Sequence, residues 1–165
     1  MSILNFYTID GKDNVGRTLI EIWSYDYNEL EYKHDFIQWL FPTNEISKFN
    51  PNAPVVSKQI AEEFKSSEKA KKNLYKSFCL MLNFYGFEIE NNDKIKIGRK
   101  FDEQSKNWIN NGNHNYLRIT RILKSLNLLG LKKQAFEFQS VLIEVYEMYP
   151  KKIGERTFSF WNDVL

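Results

Sequence analysis

An apolar seam with helical spacing in residues 67–86 is the strongest constraint on how this chain can fold. Its members recur at intervals of three and four residues, so they lie on one face of an α-helix. The seam consists of Ala70, Leu74, Phe78, Met81, Leu82 and Tyr85. Gly86 follows directly, and glycine commonly ends a helix because it adopts the left-handed conformation at little cost. A helix with so long an apolar face must pack against other elements, and the sequence therefore predicts a helical core.

Three other stretches have the same period. Residues 135–149 carry a second apolar seam, and Pro150 then interrupts it. The stretch NHNYLRITRILKSLNLLG predicts a helix over residues 115–129, ended by the final glycine. Residues 27–41 predict an amphipathic helix of about three turns that ends at Pro42.

Shorter elements complete the pattern. Ser57 is a suitable N-cap for a short helix, KQIAEEFKS. A short helix is expected near Asp102–Ile109, and a C-terminal helix is expected to dock Phe158 and Trp161. Residues 87–99 switch to alternation around an Asn-Asn-Asp turn, which indicates a small β-hairpin.

Two segments have no helical period. The first 25 residues carry two glycines and predict extended or irregular packing with a short strand. The Pro- and Asn-rich stretch TNEISKFNPNAPVV predicts a surface connection.

The elements together predict a mainly α fold, a helical bundle of about six helices with a possible small β-hairpin near residues 87–99. A chain of 165 residues has the usual length of one domain. We therefore expect residues 1–165 to form a single domain, in which residues 132–165 supply C-terminal helices that complete the bundle.

Composition and charge narrow the function classes. The net charge of +2 gives little overall attraction to nucleic acid or to an anionic membrane. No apolar run approaches the roughly 18–20 residues needed to cross a bilayer, and the N-terminus does not have the pattern of a secretory signal. Cys79 is the single cysteine, so no internal disulfide is expected. These features predict a soluble, cytoplasmic protein of a reducing compartment.

A row of cations accompanies the apolar face of the helix predicted over residues 115–129. Arg118, Arg121 and Lys124 recur at intervals of three and so line one strip. The N-terminus of this helix, near His114 and Asn115, favours an anion. This strip therefore predicts a site for a phosphate or carboxylate ligand.

A structural alternative remains open for the same cations. Glu31 and Asp35 lie at positions i and i+4 of the earlier helix, so both could face a neighbouring helix. In this alternative Arg118 and Arg121 form ion pairs with the two acids and act as a strut.

The helix predicted over residues 27–41 also carries a polar stripe, formed by Tyr27, Glu31, His34 and Gln38. With Trp39 beside it, this stripe suits a cleft for a planar or peptidic ligand. The alternative is a hydrogen-bonded inner face with Trp39 in the core. The predicted ligand-binding residues are His34, Gln38, Trp39, His114, Asn115, Arg118, Arg121 and Lys124.

Other chemistries have less support in the sequence. His34 and His114 are the only histidines and lack the spacing of a metal site, and no P-loop or dinucleotide-binding glycine motif is present. We therefore expect no enzymatic activity, no metal and no cofactor.

Nucleic-acid binding is a weaker expectation based on the lysine-rich run Lys65–Lys76, which Glu68 interrupts, and on four cations near the hairpin. Those four are Lys94, Lys96, Arg99 and Lys100.

Three blocks of the sequence closely resemble the conserved domain of the opioid growth factor receptor family, in the family's order and with similar spacing. The blocks are YNELEYKHDFIQWLFP, FKSSEKAKKNLYKSFCLMLNFYGFEI and NHNYLRITRILKSLNLLGL, and they cover roughly Trp23–Leu131. Animal members are associated with enkephalin pentapeptide binding, a nuclear or perinuclear location and restraint of cell growth. This chain resembles the short microbial members that consist of little more than the domain. The resemblance carries over no catalytic residue.

The cations, the polar stripe and the family resemblance together predict a function. We expect a non-enzymatic binding domain that holds a small anionic molecule or a short peptide between helices 27–41 and 115–129. A protein-interaction or nucleic-acid-associated regulatory module is the alternative.

Overall fold

A computed structural model describes residues 2–165. The protein is mainly helical with one two-stranded antiparallel hairpin, which confirms the predicted fold class. The helices are α1 (Ile3–Thr8), α2 (Leu19–Trp23), α3 (Tyr27–Tyr32), α4 (Ile37–Leu40), α5 (Lys58–Ser66), α6 (Glu68–Tyr85), α7 (Phe101–Gln104), α8 (Asn115–Leu128), α9 (Lys132–Met148), α10 (Pro150–Ile153) and α11 (Glu155–Asp163). The strands are β1 (Phe87–Ile89) and β2 (Ile95–Ile97), and a 3-10 turn spans Ser105–Asn107.

The chain folds into two compact units. The first unit contains the residues up to Leu80 together with Leu128–Leu131, and the second contains Met81–Asn127 and Lys132–Leu165. The expectation of a single domain over residues 1–165 stays a prediction.

The expectation of extended or irregular structure over the first 25 residues was wrong for the helical parts of this segment. Helix α1 buries Ile3, Phe6 and Tyr7, and α2 begins with a capping box between Thr18 and Glu21. Each helix is too short to display a full apolar period, and so the pattern of residues gives little indication of either. The stretch between the two helices is irregular, and an antiparallel bridge between Lys12 and Thr18 closes its loop.

The continuous helix predicted over residues 27–41 was also wrong, because two short helices occupy this stretch. Helix α3 starts as expected, with a capping box between Asp26 and Glu29. Lys33 then takes an extended conformation, and the backbone becomes helical again in α4. The five residues Phe36, Ile37, Gln38, Trp39 and Leu40 are all buried. One straight helix has a single inward face and could not bury five consecutive side chains while keeping its polar stripe, so the chain changes direction at the break.

Tyr7 lies at the centre of the first unit. Its hydroxyl donates a hydrogen bond to the carbonyl oxygen of Leu40, and its own carbonyl accepts one from Asn73 Nδ2 at 2.7 Å. Its ring packs edge-on against Phe6 and Phe64. One residue therefore connects α1 with α4, α5 and α6.

The second unit is built on an aromatic cluster around the hairpin. The predicted hairpin is confirmed, with Phe87 of β1 opposite Ile97 of β2. The ring of Phe87 packs against Phe101, Trp108 and Phe138, which come from α7, the following turn and α9.

The C-terminal helix docks as predicted. It buries Trp161 and stacks Phe158 on Tyr146 with ring centroids 4.1 Å apart.

Gly86 is the glycine with the strictest local requirement in the second unit. It has φ +92°, and a Cβ at this position would lie 2.8 Å from the Cα of Phe101. Gly112 has a comparable φ of +67° but no heavy atom within 4 Å of such a Cβ. A side chain at either position would therefore be strained by the positive φ. Only at Gly86 would it also clash with a neighbouring residue.

We therefore expect Gly86→Ala to destabilise the protein more than Gly112→Ala. The left-handed conformation costs about 1–2 kcal/mol for alanine at either position. Overpacking at Gly86 adds about 1–3 kcal/mol. Urea unfolding monitored by circular dichroism measures both changes, and equal losses for the two variants would contradict the proposed clash.

Candidate functional site

Helix α8 separates its apolar and cationic residues as the sequence predicts. Ile119, Ile122, Leu123 and Leu126 are completely buried. Arg118, Arg121 and Lys124, here called the basic ridge, recur every three residues, and α8 contains no aspartate or glutamate. Arg118 is only 5% exposed, whereas Arg121 and Lys124 are half-buried. The basic ridge therefore runs from a buried cation to two that reach solvent.

The first turn of α8 is a hydrogen-bonded polar cluster. The Asn113 side-chain oxygen accepts from the backbone N–H of Asn115 at 2.9 Å and caps the helix. The fully buried Asn115 oxygen Oδ1 accepts from the Tyr85 hydroxyl at 3.1 Å and from Arg118 Nη1 at 3.4 Å. His114 is half-buried, with Nε2 3.4 Å from Asn115 Nδ2. Asn115 is thus one hydrogen-bond partner of the Arg118 guanidinium within the second unit.

The predicted site residues of the earlier helix lie in the first unit. Trp39 is in the core and donates from Nε1 to the Asn14 side-chain oxygen at 2.7 Å. Gln38 is buried, and its Oε1 has no hydrogen-bond partner within residues 2–165. His34 is exposed between α3 and α4, and Glu31 is half-buried on α3. A site or an ion pair that joins these residues to the basic ridge would combine residues of different units, and it stays a prediction.

A charged cluster surrounds Arg17, and the sequence did not predict it. The Asp13 side chain is completely buried and accepts from the backbone N–H groups of Val15 and Arg17. Its other oxygen lies 2.7 Å from Arg17 Nε, and Asp35 Oδ1 lies 2.8 Å from Arg17 Nη1. Asp35, which the strut alternative pairs with the arginines of the basic ridge, forms an ion pair with Arg17.

The electrostatics of Arg17 favour its charged form. Burial opposes the charge, but hydrogen bonds to Asp35 and Asp13 outweigh this effect and raise the pKa of Arg17. The sequence signal was the turn DNVGR, in which an aspartate precedes an arginine by four residues around a glycine. This cluster holds the loop between α1 and α2.

A shallow hollow of about 670 Å³ lies beside the hairpin. It is lined by Glu88, Ile89, Glu90, Asn91, Asn92 and Lys96. Lys96 pairs with Glu90 at 3.2 Å, and a hydrogen bond from the Arg99 backbone lowers the pKa of Glu88. The charges at this hollow thus largely satisfy one another.

Two kinds of feature are absent from residues 2–165. In this range there is no group of three or more His, Cys, Asp or Glu side chains arranged to hold a metal ion. Nor is any described helix both long enough and apolar enough to cross a bilayer.

The helices, the hairpin and the basic ridge define a mainly α-helical protein whose most regular charged feature lies on α8. Residues 3–152 match the conserved region of the opioid growth factor receptor (OGFr), and the chain belongs to this family. The match extends beyond the predicted core of residues 23–131 at both ends. No solved structure matches the chain.

The relatives are much longer proteins. The chain is 38% identical over 132 residues to the opioid growth factor receptor of Homo sapiens, a match that covers 78% of this chain and 18% of the relative. It is 36% identical over 129 residues to opioid growth factor receptor-like protein 1 of Xenopus tropicalis, covering 78% of this chain and 24% of the relative. The chain therefore spans no more than about a quarter of the length of these relatives.

The Asn115 cluster predicts a measurable coupling between two side chains. Asn115→Ala removes the acceptor that Tyr85 and Arg118 share, and we expect a loss of about 2 kcal/mol. Tyr85→Phe removes one donor, with an expected loss of about 1 kcal/mol. If the hydrogen bond couples the two residues, the free energy of unfolding of the double variant should fall by about 1 kcal/mol less than the sum of the two single losses. Urea unfolding of the three variants measures these changes. Strict additivity would show that the bond contributes nothing.

The Arg17 cluster predicts unequal roles for its two acids. Asp13→Ala should cost about 3 kcal/mol, because a completely buried carboxylate and its hydrogen bonds are lost. Asp35→Ala removes a carboxylate from the same guanidinium, but this side chain is 50% exposed. Solvent screens such a pair, so its loss should cost less than about 1 kcal/mol. Thermal unfolding of both variants tests the order, and a larger loss for Asp35→Ala would reverse our assignment.

Proposed function

We propose that this protein is a non-enzymatic binding module that holds a small anion or a short acidic peptide on the basic ridge. The observation that carries the proposal is the regular placement of three cations on one strip of a helix that has no acidic residue of its own. Such a strip presents several donors to anionic oxygens at once, and guanidinium groups bind carboxylate and phosphate with two parallel hydrogen bonds.

The three cations of the basic ridge would have different roles. Arg118 is buried beside Asn115, so it would supply a fixed positive charge near the ligand. Arg121 and Lys124 are half-buried and could donate hydrogen bonds to the ligand directly. The polar groups at the start of α8 already hold one another in place through Asn115, which supports a positioning role for them and not a chemical step.

The names of the relatives guide the choice of peptide ligand. They describe receptors for an opioid growth factor. A short opioid peptide carries a terminal carboxylate, which is the chemistry that the basic ridge would recognise. We further propose that the module works in the cytoplasm, since a chain with a single cysteine does not depend on disulfides for stability.

Calorimetric titration of the Arg121→Gln/Lys124→Gln variant tests this proposal. The probes are inorganic phosphate, an acidic pentapeptide and an enkephalin pentapeptide. We expect the double variant to lose about tenfold or more in affinity for the probe that the native protein binds, because two charge-assisted donors are removed. Its melting temperature should stay within about 3 °C of the native value, because both side chains reach solvent.

Lys106→Gln/Lys132→Gln is the matched control. Both lysines are exposed in the same unit, so the variant loses the same charge away from the ridge. It should bind like the native protein. Equal losses of affinity in both double variants would show attraction by net charge alone and would reject the binding site. A strong drop in melting temperature with unchanged binding would favour a strut and would also reject the site.

A further inference from the structure

The first half of α6 carries three lysines on one face. Lys69, Lys72 and Lys76 are all exposed and lie at positions i, i+3 and i+7 of the helix. We call these three residues the lysine strip. With a rise of 1.5 Å per residue, the strip extends for about 10 Å along the helix. It belongs to the first unit and shares no residue with the basic ridge.

Two members of the lysine strip have no acidic partner among the described residues. The neighbouring lysines outside the strip are neutralised, since Lys71 pairs with Glu68 at 2.6 Å and Lys65 pairs with Glu62 at 2.9 Å. Within residues 2–165, neither Lys69 nor Lys72 has an ion pair or a hydrogen bond from its side chain. Their charges are therefore available to an external anion.

The third member is held in place by an aromatic ring. The ammonium group of Lys76 lies 4.1 Å from the centre of the Trp23 ring, within cation–π range. Trp23 is fixed in turn, because its Nε1 donates to the Ser77 hydroxyl at 2.9 Å. One end of the lysine strip is thus ordered before any ligand binds, which lowers the entropy lost on binding.

From this geometry we propose that the lysine strip binds the sugar–phosphate backbone of a nucleic acid without reading its sequence. Three cations in single file over about 10 Å suit a row of successive phosphates. A lipid surface fits less well, since a helix that lies on a membrane inserts large apolar side chains beside its lysines. Between Val55 and Leu117, no large apolar side chain of the described structure is exposed.

Fluorescence anisotropy with labelled oligonucleotides of about 20 nucleotides, single-stranded and duplex, tests this proposal over about 25–200 mM salt. For the native protein we expect the logarithm of the association constant to fall linearly with the logarithm of the salt concentration. The slope should be about −2 to −3, as three phosphate contacts require. Lys69→Gln/Lys72→Gln should reduce the magnitude of the slope by about two, and Lys76→Gln by about one. The double variant should also bind about tenfold more weakly at low salt.

Lys94→Gln/Lys100→Gln provides the matched control, because it removes the same charge from exposed lysines near the hairpin. This variant should keep the native slope. Equal losses in the two double variants would show attraction by net charge alone and would overturn the proposal. The same conclusion follows if the native protein binds no oligonucleotide at about 25 mM salt, or binds only vesicles of phosphatidylserine and phosphatidylcholine. Loss of phosphate or peptide binding by the basic ridge would leave this result unaffected.

Discussion

Much of the first unit depends on the hydrogen bonds of one buried phenol. The Tyr7 hydroxyl donates to the Leu40 carbonyl and lies 3.4 Å from the Ser77 hydroxyl, and burial raises the pKa of Tyr7. Ser77 in turn accepts from Trp23, whose ring lies beneath Lys76. The exposed lysine strip is therefore connected to the core through a short chain of side-chain contacts. Lys76, an exposed residue, thus has a support that reaches a buried polar group, and buried polar groups need hydrogen-bond partners.

In the second unit, too, a buried polar group is held by hydrogen bonds, here on α8. Arg118 is a cation within the packed part of the unit, and the Asn115 amide shares its oxygen between this guanidinium and the Tyr85 hydroxyl. A buried charge is costly unless hydrogen bonds compensate it. The start of α8 is therefore specified as much by polar contacts as by the Leu and Ile residues on its inner face. These polar contacts explain how the first cation of the basic ridge can lie beside a strongly apolar face.

The sequence revealed the long helices because each repeats its apolar period several times, as in α6, α8 and α9. The sequence did not reveal the elements shorter than two such periods, as in α1 and α2. Nor did it reveal the break at Lys33, which precedes a run of buried residues. For the candidate site it identified the cations and the helix that carries them. Partners were harder to predict, since the pairing of Arg17 with Asp13 and Asp35 depends on a loop conformation and not on periodicity.

The short segment Leu128–Leu131 belongs to the first unit, although the residues on either side of it belong to the second. Gly130 lies against the side chain of Lys65, where an added Cβ would be 3.1 Å from Lys65 Cγ. The first unit is therefore discontinuous in sequence. On the ribosome its last piece is synthesised only after β1, β2 and most of α8. The amino-terminal part lacks this piece until then, so the packing of the first unit cannot be complete before residue 131 has been synthesised.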